Sequence, residues 1–596
     1  MDIAAILDEA IDLEEQGRLK EALLRFEQVL TKDPRNTVAR AGALGARAAL
    51  ACDAGRADEA IALASDALSS SNYDLRAQTV RAQAYVALGR YREALADALK
   101  VLAFAPEFPE ALAARGAAFV ALGEPEAGVG DLAAAARLKP DIKFILGQAL
   151  HYAMQICRWD EMPGQLDALI AAVESGRPAT RPFWLLALPA TGAQQRKAAA
   201  AYFEALHVAP APTPSAGTAS KPAGRIRLGY FSTDFCAHPV SHLIAGLLEA
   251  HDRSHFEVIA FAVGGRRDAI RMNIAKSVDR MIECEDRSDA EIEALARAEN
   301  LDIAIDLNLY TGRPPAIFAR RLAPLQVNYL GYPGTAAAPC YDYVIGDPVI
   351  TPFEHRAHFS ERIVQLPHCY QPTALARYGA LQTPLRKDLG LPESAFVFCC
   401  FNDGFKILPD VFEIWMRLLA GVDGSVLWLL ENSPVAARNL QAEAARRGIA
   451  PERIVFAKRV AIGAHLARHA VADLFLDTFP YNAHTTASDA LWGGLPLLTC
   501  TGETFAGRVA TSILIAAGLP ELVTTSPADY ERRAFELARD PAALKVLRER
   551  LRKNRASAPL FDTLRYTRNI ERAFAMMWAR HVEGRAPREF AVTETP

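Results

Sequence analysis

The sequence predicts an α + α/β protein, an array of paired helices followed by two doubly wound α/β domains. Three observations predict it. Gly17, Gly55, Gly89 and Gly123 recur at spacings of 38, 34 and 34 residues, each between two Ala/Leu-rich stretches. A Pro-, Ala-, Ser- and Gly-rich stretch at 209–224 then separates this half from one of different composition. Beyond it, short apolar runs alternate with amphipathic stretches, twice over, the pattern of parallel sheets covered by helices on both faces.

At 596 residues, 51% hydrophobic and 23% charged, the chain has room for several domains with sizeable cores and the composition of a soluble globular protein. A net charge of −4 carries no polyelectrolyte signal, which argues against nucleic acid as the main partner. No apolar run reaches the roughly 18 residues of a spanning helix. The start MDIAAILDEAIDLEEQG is acidic where a signal peptide is basic, so a cytoplasmic protein without membrane insertion is expected. The nine cysteines are scattered with no C-x-x-C pair, and only Cys399 and Cys400 are adjacent. Neither a disulfide framework nor a zinc site is indicated.

Residues 1–140 read as tetratricopeptide (TPR) repeats. Around Gly89, the small and aromatic residues Ala82, Tyr85, Tyr91, Ala94, Ala98 and Val101 fall where such a unit interlocks its two helices, and Pro106 closes it. The units around Gly17 and Gly123 repeat the arrangement, with Pro34 and Pro140; the unit around Gly55 is degenerate and lacks the closing proline. Stacked pairs of this kind form a superhelix whose concave face suits an extended protein partner, or a surface for a homodimer. Residues 141–208 continue helical without the period and are expected to cap the array; 209–224 is a linker by composition.

From 225 to 385 the strand candidates are RIRLGYFS, FEVIAFA, LDIAIDL, LQVNYLGYPGT and CYDYVIGD. From 386 to 560 they are FVFCCF, SVLWLL, RIVFAK, LFLDTF and LPLLT, separated by helical stretches such as LPDVFEIWMRLLAGV. Neither half holds a G-x-G-x-x-G; a ligand in the cleft between two such domains, at the carboxyl ends of the strands, is expected. A last helix over 561–585 could return to the first α/β domain.

One stretch combines the features of a phosphate site. Leu474 to Phe479 reads as a buried strand broken by one acid, Pro480 to His484 as a turn, and Thr486 with Asp489 three residues on as a capping box opening a helix that Gly493-Gly494 would stop. Strand, polar turn and helix place free N–H groups and a helix dipole where a phosphate can sit.

Five segments in order, GRIRLGYFSTDFCAHPVSHL, RRLAPLQVNYLGYPGT, CYDYVIGD, CFNDGFKILPDVFEIWMRLLAGVDGSVLWLL and LFLDTFPYNAHTTASDALWGGLPLLTCTGETFAGRVATSIL, closely resemble the TPR-linked O-GlcNAc transferase family of inverting glycosyltransferases, which includes bacterial flagellin-modifying members. The resemblance implies a TPR superhelix followed by a GT-B fold of two Rossmann-like domains. It also implies a nucleotide-sugar donor, a Ser or Thr acceptor on a protein bound through the repeats, and no required metal or cofactor. By matching positions, Lys406 would meet the leaving phosphates, and His484, Thr485 and Thr486 would hold them with the helix amides behind. Asp489 would bind the ribose, and His238 would stand near the reacting centre as base or orienting group. His465 and Asp403 would line the donor site, and Gly331, Pro333, Gly334 and Thr335 would form the loop that approaches the sugar.

Two departures from the family pattern fall on nucleotide recognition. Asp403 stands where the GlcNAc-transferring members usually carry an amide, beside the expected diphosphate. AKRVAIGAH, ending at His465, is one residue shorter than the usual form and lacks the lysine expected near the uracil. One phosphate and a different base would suit both changes, as in CMP-activated nonulosonic acids of the pseudaminic acid type. The expected activity is therefore protein O-glycosylation from a CMP-nonulosonic acid or UDP-GlcNAc, with flagellin a candidate acceptor. The alternatives are a catalytically inactive TPR adaptor and an asparagine-linked glycosyltransferase.

Overall fold

The computed structural model describes residues 2–70, 74–206, 208, 224–313, 316–374 and 382–594. The chain divides into two compact units, one of Met1–Ile156 with Glu161–Leu169 and Arg177–Thr180, the other of Cys157–Asp160, Ile170–Gly176 and Arg181–Pro596. The linker expected at 209–224 lies, apart from Gly224, outside the described residues.

In the first unit the helices pair as the glycine period requires. They are α1 (Ile3–Glu15) with α2 (Leu19–Lys32), α3 (Thr37–Asp53) with α4 (Ala57–Ser70), α5 (Leu75–Ala87) with α6 (Tyr91–Phe104), and α7 (Pro109–Ala121) with α8 (Pro125–Leu138). Gly17, Gly55, Gly89 and Gly123 turn each pair, at φ of 74°, 73°, 72° and 91°. That left-handed backbone is open to glycine and strained for other residues, which explains why the period is written in glycine. A charge pair repeats at the same register. Arg81 and Asp97 stand eight residues before and after Gly89 and meet at 2.7 Å; Arg115 and Asp131 do the same about Gly123 at 2.6 Å. Repeat one reverses the signs, with Glu9 and Arg25 at 3.0 Å. In the degenerate repeat Leu63 replaces the acid, and Arg47 reaches Glu27 at 2.6 Å instead. Gly116 and Gly128 bring the backbones of α7 and α8 together, since a Cβ on Gly128 would come within 2.5 Å of the Gly116 carbonyl.

The segment expected to cap the array is helical, over Ile145–Gln155, Met162–Glu174, Pro182–Leu185 and Gly192–Ala205, but it does not go to one body: Ile145–Gln155 belongs to the repeat unit and residues from Arg181 onward to the other.

The second unit holds two wholly parallel sheets. The first is built from β1 (Ile226–Ser232), β2 (Phe256–Ala262), β3 (Arg280–Glu283), β4 (Ile303–Asp306), β5 (Leu325–Asn328), β6 (Tyr343–Gly346) and β7 (Arg362–Gln365). The second is built from β8 (Val397–Cys400), β9 (Val426–Leu430), β10 (Ile454–Ala457), β11 (Leu474–Leu476), β12 (Leu497–Cys500) and β13 (Val523–Thr524), and β14 (Phe590–Ala591) joins the first sheet beside β7. The strand orders are β14-β7-β6-β5-β4-β1-β2-β3 and β10-β9-β8-β11-β12-β13. In each sheet the winding reverses between the first and fourth strands, β1 next to β4 and β8 next to β11, with registers such as Tyr230 opposite Ile305 and Phe475 opposite Cys399. Such reversal points open a crevice at the carboxyl ends of the strands.

Arg280–Glu283, Arg362–Gln365, Val523–Thr524 and Phe590–Ala591 are strands that the sequence pattern does not announce. β3 is an edge whose end residues are exposed, and β14 is two residues long, so neither carries a buried apolar run. The final helix, Thr563–Val582, does return to the first lobe. Tyr566 hydrogen-bonds the Tyr329 hydroxyl and the Tyr370 carbonyl, and the Glu571 carboxylate accepts from His251 Nδ1 at 2.9 Å and from the N–H of Asp252 at 2.7 Å.

Candidate functional site

A cleft of about 900 Å³ lies between the two sheets, where both reversal points face it. His238 enters it from the loop after β1 and Leu309 to Gly312 from the loop after β4; Asn402 to Lys406 follow β8, and Tyr481 to Asp489 follow β11. The expected residues His238, Asp403, Lys406, His465, His484, Thr485, Thr486 and Asp489 all line this one cleft.

Lys406 reaches the turn after β11. Its Nζ donates to the Asn482 carbonyl at 3.0 Å and lies 3.6 Å from the centre of the Tyr481 ring. Burial pushes its pKa down to about 8, against the opposing pull of Asp403 and Asp477. The helix beside it spans Thr485–Trp492, so it begins one residue before Thr486, and no capping box forms. The Thr486 hydroxyl donates instead to Asn402 Oδ1 at 2.5 Å, and His484 takes the cap position without a side-chain bond to the helix. The pattern of Thr and Asp three apart is the same in either case; the partner offered by Asn402, from the loop after β8 and 84 residues earlier, decides between them. Among the described residues no hydrogen bond engages the N–H of Thr485 or Thr486, which leaves them facing the cleft as donors to an anion.

His484 Nε2 faces the Ala506 carbonyl at 3.2 Å and so carries the proton, leaving Nδ1 as an acceptor. Burial, with Lys406 nearby, holds the ring well below the ordinary histidine value. His465 is likewise neutral: burial first, then Arg468 and Arg459, push it down to about 3. Its Nδ1 accepts from Arg468 at 2.6 Å, and its Nε2 lies 3.6 Å from Asp489 Oδ2. Asp489 is buried and pushed up to about 6 by that burial, with His469 and His242 opposing the shift. Its Oδ1 is buried with no hydrogen-bond partner among the described residues, an unmet acceptor in the wall of the cleft.

From the first lobe, His238 caps the helix Pro239–Ala250: its Nδ1 accepts from the Val240 N–H at 3.3 Å and lies 3.4 Å from Asp234 Oδ2. Asp234 is itself tied to Asn308 Nδ2 at 2.6 Å. The ring is partly exposed to the cleft; with Nδ1 accepting, the neutral ring carries its proton on Nε2, which suits it to orienting a hydroxyl by donating to its oxygen.

Asp403 pairs with Arg459, 2.9 Å apart, both largely exposed at the rim. The two departures noted in the sequence are thus one structural feature, because Arg459 belongs to the AKRVAIGAH segment. Gly334 and Thr335 do not reach this cleft. Thr335 is buried and donates to Glu361 Oε2 at 2.5 Å, Gly334 accepts from Asn328 at 2.9 Å, and both border a separate, much smaller cavity. Of that loop, Leu330 and Gly331 are the residues that line the cleft. Asn402, Asp477, Tyr481 and Arg459 were not singled out by residue type alone. The one visible signal was the acid interrupting the apolar run LFLDTF, which is Asp477.

The helical segment before β1 also builds the wall: Phe183 packs on Phe405 at 5.8 Å and on Tyr481 at 6.2 Å, and Tyr202 packs edge-on against Tyr310 at 5.4 Å.

The profile of glycosyl transferase family 41 matches residues 156–373 and 379–570. The chain is 34% identical over 467 residues to the probable UDP-N-acetylglucosamine–peptide N-acetylglucosaminyltransferase SEC of Arabidopsis thaliana, covering 75% of this chain and 48% of that one. It is 27% identical over 560 residues to the UDP-N-acetylglucosamine–peptide N-acetylglucosaminyltransferase of Caenorhabditis elegans, covering 72% and 48%. It spans about half the length of these curated relatives. Among solved structures, a mutant of the Thermobaculum terrenum O-GlcNAc transferase superposes with a TM-score of 0.63 at 27% identity, over 92% of this chain and 99% of that one. The profile spans both sheets and most of the chain: the chain belongs to glycosyl transferase family 41.

Proposed function

We propose that the protein transfers a sugar from a nucleotide-sugar donor to a Ser or Thr hydroxyl of a protein acceptor, with inversion at the anomeric carbon. The observation that carries this reading is the convergence in one cleft of Lys406, two unengaged helix N–H groups and the unpartnered Asp489 oxygen, opposite His238. In this reading Asp489 holds the ribose. The acceptor hydroxyl forms the new C–O bond as the bond to phosphate breaks, and the electron pair leaves on the phosphate oxygen. Lys406 and the N–H groups of Thr485 and Thr486 meet that charge, so no metal or cofactor is invoked. His238 orients the hydroxyl by donating from Nε2, and the hydroxyl proton passes to the departing phosphate or to water.

The names of the relatives make UDP-GlcNAc the first donor to test. The Asp403–Arg459 pair favours a second, a CMP-activated nonulosonic acid: Asp403 withdraws Arg459 from the phosphates and leaves Lys406 as the cation there, a better match to one phosphate than to two. The repeats would select the acceptor, with flagellin the first to try, or serve a homodimer. A cytoplasmic setting agrees with nine free cysteines and, among the described residues, no helix long and apolar enough to cross a membrane.

Incubating the enzyme with each donor and a co-expressed flagellin, then weighing and mapping the product, tests the whole reading. The added mass identifies the sugar, and the modified residue separates hydroxyl from asparagine transfer. Release of neither UDP nor CMP, together with no nucleotide binding by calorimetry, would leave the adaptor alternative standing.

A further inference from the structure

Asp477 lies one residue beyond β11, fully buried, with four donors on its carboxylate. Oδ1 accepts from the N–H groups of Thr478 at 2.8 Å and Ala483 at 2.6 Å and from Asn402 Nδ2 at 3.2 Å; Oδ2 accepts from Thr499 Oγ1 at 2.6 Å. Asn402, across the reversal point at the end of β8, is also buried. Its Nδ2 donates to Thr478 Oγ1 at 2.8 Å while its Oδ1 accepts from Thr486 Oγ1 at 2.5 Å. Thr478 Oγ1 in turn donates to the Tyr481 carbonyl at 2.8 Å. The turn 478–483 is therefore held at both ends, and the first turn of the Thr485–Trp492 helix is pulled toward β8. A buried carboxylate engaged by four donors resists displacement, because any movement strands a charge or a donor without a partner.

Building on the donor reading above, we propose that Asn402 and Asp477 are positioning residues for the donor phosphate. Together they fix the Asn482 carbonyl that orients Lys406 and the helix N–H groups that face the cleft. The Asp477 carboxylate has a second role as a charge near Lys406. The groups around that ammonium are Asp403 on its own loop, Asp477 just beyond β11, Tyr481 from the following turn, His484 at the helix cap, and the Cys400 thiol from β8. Asp403 and Asp477 are the acids that favour the charged form, and Asp477 is the one sealed from solvent.

The test compares wild type with Asn402→Ala, Asp477→Asn and Thr499→Val, using calorimetric titration with UDP and CMP and pH profiles of kcat/KM. Asn402→Ala should weaken nucleotide binding about tenfold or more and lower kcat, because the Thr486 hydroxyl and the 478–483 turn lose their tie. Asp477→Asn should move the alkaline limb of the profile to lower pH, a shift that a purely structural residue would not cause. Should Asp477→Asn not fold, Thr499→Val, an isosteric change that removes one donor from Asp477, should raise the acid limb and weaken binding several-fold. Folded Asn402→Ala and Thr499→Val proteins that bind within about twofold of wild type, with both limbs unmoved, would overturn the proposal. A wild-type protein that binds neither nucleotide would overturn the donor reading instead, so the two failures are distinguishable.

Discussion

Raising the pH through the ionisation of Lys406 is the most informative perturbation of this protein. Burial, partly offset by Asp403 and Asp477, places that pKa at about 8, well below the ordinary lysine value. The charged form is the one that can meet a leaving phosphate, and it predominates below the pKa, so kcat/KM should fall about tenfold for each pH unit above about 8. A bound phosphate stabilises the ammonium, so the limb in kcat, which reports the complex, should lie at higher pH than the limb in kcat/KM. Stability carries the opposite sign. A lysine whose folded pKa is depressed binds fewer protons folded than unfolded between about pH 8 and 10.5, and its contribution to stability grows with pH across that window. Loss of activity there cannot be assigned to this group unfolding the protein. Asp403→Asn removes a charge that supports the ammonium and should move the limb to lower pH, while Lys406→Ala should cost about 10² to 10³ in kcat. Initial rates in a constant-ionic-strength buffer series, with circular dichroism at each pH, make the measurement. A flat profile from about pH 7 to 9.5, or a Lys406→Ala enzyme retaining more than about a tenth of wild-type kcat, would refute the reasoning.

Two glycines in α8 should respond in opposite directions. Gly128→Ala forces a Cβ against the Gly116 carbonyl and Val120 and should destabilise the repeat unit by about 1–3 kcal/mol, whereas Gly130→Ala, with nothing within 4 Å of its Cβ, should stabilise it by up to about 1 kcal/mol in urea titrations. Gly123→Ala meets no atom either, but its φ of 91° should make it destabilising by about 1–2 kcal/mol in the same assay. Glu571→Ala leaves buried His251 Nδ1 and the Asp252 N–H without their acceptor and should cost about 1–3 kcal/mol, read as a lower thermal midpoint. Asp489→Asn should weaken nucleotide binding by about tenfold or more in calorimetry, since it replaces one of two acceptor oxygens in the cleft wall by an amide donor where a ribose hydroxyl would donate.

The repeats were legible because a single backbone requirement, the left-handed turn at Gly17, Gly55, Gly89 and Gly123, admits one residue type and so leaves a periodic mark. Interior strands such as Phe256–Ala262 and Val426–Leu430 were legible because burial on both faces writes a nearly continuous apolar run. Three of the four edges were not, because β3, β13 and β14 have little buried surface to record, whereas the edge β10 is read in RIVFAK. Within the site, Lys406, His484 and Asp489 are reached through the family resemblance rather than through residue type, while the sequence reads Thr486 and Asp489 as a capping box and the resemblance makes Gly334 and Thr335 a loop near the sugar. Asn402 and Glu361, distant along the chain, claim the hydroxyls of Thr486 and Thr335.

The sequence by itself determined the order of the domains, the helix and strand types and the chemical character of the candidate groups, because these follow from local periodicity and residue chemistry. Only the tertiary structure decided which groups share a cleft, which hydroxyls and carboxylates are already engaged, and that Asp403 meets Arg459. Winding reversals at β1/β4 and β8/β11 bring together loops from four strands spread over about 260 residues, and hydrogen-bond partners across such distances leave no periodic trace in the chain.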